Sequence, residues 1–206
     1  MKKDLPSRLR RQLAQRSNAQ RKRPRGRPAA VLIPLYYHDS QWHALFTRRA
    51  ERIEAHSGQV AFPGGMIDAD DASPEQAALR EAQEEVGIQP QDVDILGRLK
   101  PTRTITRFFV TPIVGTFPWP YELRLNHSEV AKAFGVPISW LAEPANVELR
   151  KYKLTRFGPS FNVHYFKSYE DEIIWGATGR IVISLLGELQ QALETQNGAR
   201  NNPRSA

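Results

Sequence analysis

The sequence predicts an α+β domain: an α/β/α sandwich with a mixed β-sheet flanked by helices, preceded by a disordered basic N-terminal tail. Three observations carry this. Strand-like runs outnumber helical ones and the two alternate irregularly, as a mixed sheet requires. The 206 residues contain 40% hydrophobic and 25% charged residues, ordinary for one globular core. Nearly all of the basic excess sits at one end. Residues 1–28 carry a formal +10, so the remaining 178 residues are mildly acidic against the net +7.

The tail ends in Arg21-Lys22-Arg23-Pro24-Arg25-Gly26-Arg27-Pro28, which cannot bury enough apolar surface to fold alone. Residues 1–28 are therefore expected to be mobile, with a short helix around Arg8–Arg16. Their charge suits solubilisation, a loose phosphate contact or nucleic acid, and an Arg-rich, acid-poor start is also the composition of an organelle transit peptide.

The body is expected over 29–194, with a frayed 195–206 after it. Ala29 to Tyr37 is a β-branched and aromatic run closed by His38-Asp39-Ser40, a strand and its turn. Trp42–Arg48, Gln59–Phe62, Val93–Lys100, Phe108–Phe117, Lys151–Phe157 and Asn162–Tyr169 read as further strands. Helices are expected at Pro74–Val86, at Ser128–Phe134 with an extension near Trp140, and at Ala177–Leu193. In the last, Val182, Leu185, Leu186, Leu189 and Leu193 recur at helical spacing. The chain has no cysteine, which excludes disulfides, thiolate catalysis and cysteine-held metals. No apolar run approaches the roughly 18 residues of a membrane span. A soluble, cytoplasmic protein without membrane contact is expected.

Ser73 is an N-cap, Pro74 a first helical residue, Gln76 the partner of a capping box and Gly87 the stop. Within that helix Glu81, Glu84 and Glu85 stand at i, i+3 and i+4, so three carboxylates share one stripe. A solvated face relieved by Arg80 would explain them, but just upstream a strand is expected to break into a turn at Gly64-Gly65, followed by the acidic loop Asp68-Ala69-Asp70-Asp71. A glycine pair lets backbone carbonyls approach the same ion, and hard cations such as Mg²⁺ or Mn²⁺ take oxygen ligands together with substrate phosphates. No zinc-spaced histidine pair or phosphate-cradling glycine loop is present.

Arg80-Glu81-Ala82-Gln83-Glu84-Glu85-Val86-Gly87-Ile88 resembles the second half of the Nudix box. The first half departs: 14 residues separate Gly65 from Arg80, one more than the box, and the slot for its first glutamate falls on Ala72 beside Asp71. Phe46-Thr47-Arg48-Arg49-Ala50, Ile53, His56, Gly58, Val60 and Phe62-Pro63-Gly64-Gly65 are similar to the coenzyme A pyrophosphatase branch of the Nudix hydrolases. So are Val110–Gly115, Ser128-Glu129-Val130 and Ile174-Trp175-Gly176-Ala177-Thr178.

The resemblance implies a Nudix-like sandwich that hydrolyses the pyrophosphate of coenzyme A or its thioesters to 3′,5′-ADP and 4′-phosphopantetheine or its acyl form. It implies metal held by Glu81, Glu84 and Glu85 with the Gly65 and Gly64 backbone, and Arg80 orienting the carboxylates. Glu84 and Glu129, with Glu81, are the candidate general bases; an acid at a helix start would also explain Glu129. Arg48, Arg49, Arg52 and His56 would meet the phosphates of the substrate. Rival expectations are another nucleoside diphosphate derivative, NADH or ADP-ribose, or an inactive scaffold whose basic tail binds RNA. A mixed-sheet domain of this kind can also form a homodimer.

Overall fold

The strand after the basic run, β1 (Arg27–His38), is buried along nearly its whole length because it runs through the middle of the molecule. Ala29, Ile33 and Leu35 join one apolar cluster while Ala30 and Leu32 join another, the period of two that puts successive side chains on opposite faces. The computed structural model describes residues 4–16, 26–50, 58–153 and 160–200, with side chains to 194.

β1 pairs in parallel with β7 (Phe108–Thr116), and every other pairing is antiparallel. β2 (Gln41–Arg49) returns through a two-residue turn at Asp39 and Ser40, both at positive φ, within the His38–Ser40 turn expected there. β3 (Val60–Ala61) and β8 (Val130–Pro137) flank β2, β4 (Gly64–Met66) pairs with β1, and β5 (Asp94–Arg98) and β6 (Thr102–Arg103) pair with β7. Pro34 lies between the stretch of β1 that pairs with β4 and the stretch that pairs with β2, where no ladder partner needs its missing N–H. β9 (Val147–Lys153) and β10 (Ser160–Phe166) form a separate hairpin.

One face of the sheet is covered by α2 (Pro74–Val86), whose Ala77, Ala78 and Ala82 meet Ala30, Leu32 and Ile113. The other is covered by α4 (Gly176–Arg200) through Ile181, Val182, Leu185 and Leu189. The result is the three-layer α+β sandwich with a mixed sheet.

Four expectations change. The first turns of the tail are not free: α1 (Leu5–Arg16) buries Leu5, Leu9 and Leu13 in the core beside α4, and Leu13 sits over Gly97, where a Cβ would come within 2.8 Å of it. Apolar residues at i, i+4 and i+8 outweigh the basic composition around them. Residues 1–3 and 17–25 lie outside the described residues. Ser128–Phe134 is not a helix, because Val130, Phe134 and Val136 are buried along β8 as it pairs with His43–Arg49 of β2. Gly64-Gly65 is strand rather than turn, and α4 continues to Arg200, through part of the segment expected to fray. β9 starts at Val147, and its expected continuation through 154–157 lies outside the described residues. α3 (Ile138–Leu141) is the short helix expected near Trp140.

Candidate active site

The carboxylates stand on a helix whose ends are set locally. Ser73 Oγ accepts from the Gln76 N–H at 3.2 Å, and Gly87, at φ 77°, donates its N–H to the Gln83 carbonyl. Gln76 reaches back one residue further than a capping box, its Oε1 accepting from the Ala72 N–H at 2.8 Å.

Arg80 is the hub of this surface. Its Nη1 donates to Glu81 Oε1 at 3.0 Å and to Glu84 Oε2 at 3.1 Å, and its Nη2 to the Met66 carbonyl at 3.2 Å. Its other edge is gripped by Asp71, Nε to Oδ1 at 3.3 Å and Nη2 to Oδ2 at 3.0 Å. The Asp71 side chain is only 4% exposed, and its carboxyl is held below the usual range chiefly by the Arg80 hydrogen bonds. Asp71 thus supports the arginine although the box's glutamate slot falls one residue later. The sequence signal was the acid beside that slot.

Gly65 in β4 faces Glu81 so closely that a Cβ would lie 2.4 Å from its Oε1. Any larger residue would displace the carboxylate, so the missing side chain is what admits it. Glu85, 4% exposed, is deeper, and its carboxylate accepts from the Gly64 N–H. Burial pushes its pKa up to about 8; the Arg49 guanidinium opposes this, and the charges of Glu81 and Glu129 add to it. Burial also raises Glu81, with Glu84 and Glu129 acting in the same direction and Arg80 against it.

Glu129 belongs to this field without being on α2. The Asn126 N–H donates to the Glu85 carbonyl at 3.0 Å, the Glu129 N–H returns to the Asn126 carbonyl at 2.9 Å, and Asn126 Nδ2 bonds Glu129 Oε1 at 3.1 Å. The turn before β8 is therefore tied to the end of α2. Since β8 is a strand, no helix dipole is available to explain an acid at 129.

Among the described residues no three acidic or histidine side chains already converge as a metal-ligand group, because Glu81 and Glu84 are drawn onto Arg80. The donor set nevertheless suits a hard cation. It offers carboxylate oxygens only, a backbone approach opened by Gly65, and a buried carboxylate, Glu85, whose ionisation the surrounding acids oppose.

The NUDIX domain family matches residues 26–157, which span β1 to the end of β9 and contain every acid just described. The chain belongs to the Nudix hydrolases. It is 42% identical over 165 residues, 80% of this chain and 86% of the relative, to the uncharacterized Nudix hydrolase NudL of Photorhabdus laumondii subsp. laumondii. To the protein of the same name from Citrobacter koseri it is 41% identical over 162 residues, 77% of this chain and 81% of that one. The fold is shared with a MutT/nudix family protein from Enterococcus faecalis, at a TM-score of 0.51 and 15% identity over 94% of this chain and 80% of that one. This Nudix hydrolase is accordingly a pyrophosphohydrolase, acting on pyrophosphate-containing substrates.

The cationic residues expected to meet substrate divide between two places. Arg49, at the bulge between Arg48 and Arg49 in the pairing with β8, acts on Glu85, and its buried Nε has no hydrogen-bond acceptor among the described residues. Arg48 turns elsewhere: its Nε lies 3.7 Å from Glu172 Oε1, which Lys132 approaches at 3.5 Å. Arg52 and His56 lie outside the described residues. Among the described residues no helix is long and apolar enough to cross a membrane.

Proposed function

We propose that this Nudix hydrolase cleaves the pyrophosphate of coenzyme A or its thioesters, giving 3′,5′-ADP and 4′-phosphopantetheine or acyl-phosphopantetheine. The observation that supports this reading is the pair of arginines at the end of β2, one beside the carboxylates and one a residue away, each with a buried Nε that has no hydrogen-bond partner among the described residues. Coenzyme A differs from ADP-ribose and NADH by a phosphate on the ribose 3′ position, and a guanidinium is the side chain best matched to it.

In this reading Glu81, Glu84 and Glu85 hold Mg²⁺ or Mn²⁺ with the Gly65 carbonyl, and Gly64 keeps Glu85 in place. When bound, the ion supplies Lewis-acid polarisation of the pyrophosphate and a more acidic water. Arg80, fixed by Asp71, sets the directions of Glu81 and Glu84. Arg49 takes a pyrophosphate oxygen, and Arg48, with Arg52 and His56, the ribose phosphate. Glu129 is the general base: it lies in the field of Glu81 and Glu85, and its Oε1 accepts a hydrogen bond from Asn126. Its carboxylate accepts the proton of the attacking water. The partner is a small molecule and the compartment the cytoplasm.

The test compares kcat/KM for coenzyme A, dephospho-coenzyme A and ADP-ribose. Coenzyme A is expected to lead, and Arg48→Ala to remove at least about tenfold of that lead, the worth of one charged hydrogen bond. Equal values for all three would refute the reading.

A further inference from the structure

A cavity of about 400 Å³, outside the carboxylate site, is lined by Arg48, Tyr165, Asp171, Glu172 and Trp175 together with the residues just before β3. Arg48 pairs in register with Val60 of β3, and Thr178 Oγ1 in the first turn of α4 donates to the Val60 carbonyl at 3.0 Å. The strand that leads to Gly64 therefore forms one border of this cavity. Arg49 acts on Glu85 while its neighbour Arg48 lines the cavity, so the two sites lie on either side of the end of β2.

Its walls are built rather than incidental. Tyr169 and Glu172 exchange two backbone hydrogen bonds of 2.9 Å around Glu170 and Asp171, both at positive φ. This tight turn buries Glu172 against Arg48 and Lys132, two cations against one acid, and holds Asp171 exposed at the rim, with no hydrogen-bond or ion-pair partner among the described residues. Trp175 is braced by Tyr152 and Tyr165, with ring centroids 5.7 and 6.2 Å away, and the Arg150 guanidinium sits 3.7 Å over the Tyr165 ring.

An aromatic wall stacks a flat ring, a lone carboxylate accepts from an amine, and a guanidinium takes a phosphate. An alkyl chain would use only the first and give nothing to Asp171 or to the cationic excess of Arg48 and Lys132 over Glu172. We propose that this cavity takes the aminopurine nucleotide end of the substrate: Trp175 stacks the base, Asp171 accepts from its exocyclic amine, and Arg48 with Lys132 meets a ribose-borne phosphate. The inference rests on the proposed function only in taking the nucleotide as part of the substrate, since ADP-ribose and NADH carry the same base.

The full chain without metal, titrated calorimetrically with AMP and with IMP, which lacks the amine, tests it. AMP is expected to bind about tenfold more tightly than IMP. Trp175→Ala should weaken AMP by about tenfold, the scale of one stacked base. Asp171→Ala, which removes the acceptor that an asparagine would retain, should bring AMP to the IMP affinity without weakening IMP. If Trp175→Ala does not fold, Asp171→Ala decides alone. Absent AMP binding, equal affinity for AMP and IMP, or unchanged AMP binding in both variants would overturn the proposal, as would pantetheine binding that depends on Trp175 while AMP binding does not. AMP has no pyrophosphate, so these outcomes are independent of whether coenzyme A is cleaved.

Discussion

Asp71 and Arg80 form a two-pronged ion pair across the loop that enters α2, with contacts of 3.3 and 3.0 Å. Arg80 in turn holds Glu81 and Glu84, so Asp71 acts on the candidate metal ligands through it. Asp71→Asn removes the charge and one acceptor while keeping the shape. Mn²⁺ affinity, read by paramagnetic resonance, is expected to fall about tenfold to hundredfold, the usual effect of losing a group that orients metal ligands. Asp71→Glu is expected to recover part of it.

As a proposed metal ligand, Glu85 is expected to make metal binding depend on pH. Its folded pKa of about 8 lies above the 4.5 of an exposed glutamate, so the folded, metal-free protein holds a proton that the unfolded chain has released. Its contribution to stability is therefore full below pH 4.5 and is lost as pH rises from there through about 8. A divalent ion needs the carboxylate ionised, so affinity should rise by up to about tenfold per pH unit below 8 and level off above it. Glu85→Gln should abolish the metal dependence and raise the melting temperature of the metal-free protein at pH 9. A flat affinity between pH 6 and 8 would contradict the assignment.

Glu129→Gln separates the proposed general base from the proposed ligands. The variant should bind Mn²⁺ nearly as the parent does, keep its KM, and lose about 10²–10⁴ in kcat, the range of general-base contributions. Glu84→Gln should instead weaken the metal. Rapid turnover by Glu129→Gln with an unchanged pH profile would return the role to Glu84 or Glu81.

The N-terminal helix belongs to the core. Leu9→Ala, at a fully buried position, should cost about 2–5 kcal/mol in denaturant unfolding. Deleting residues 1–16 should lower stability and expose apolar surface on α4 and β5, read as increased binding of a hydrophobic dye.

What could be read in advance was what the chain decides locally. The span of α2 followed from Ser73, Pro74 and Gly87, and the carboxylate stripe from helical spacing alone, because neither needs a distant partner. β8 could not be read that way: Val130 to Pro137 is a strand because the edge of β2 is there to pair with it. With it went the position of Glu129, in a turn tied to Glu85. The docking of α1 was missed: Leu5, Leu9 and Leu13 stand at helical spacing within a strongly basic segment, and their apolar partners on α4 and β5 lie far along the chain. The grip of Asp71 on Arg80 was hidden by one residue of offset, which a loop absorbs and a spacing rule does not. Arg48 and Arg49 read as one cationic group, yet successive strand residues diverge, and the two face different sites.

The most direct measurement is to incubate the full chain with coenzyme A and excess Mg²⁺ or Mn²⁺ and to identify the products by mass, with Glu84→Gln and Glu85→Gln in parallel. The expected products are 3′,5′-ADP and 4′-phosphopantetheine, lost in both variants. Intact coenzyme A under either metal, or the same products at the same rate from both variants, would contradict the account.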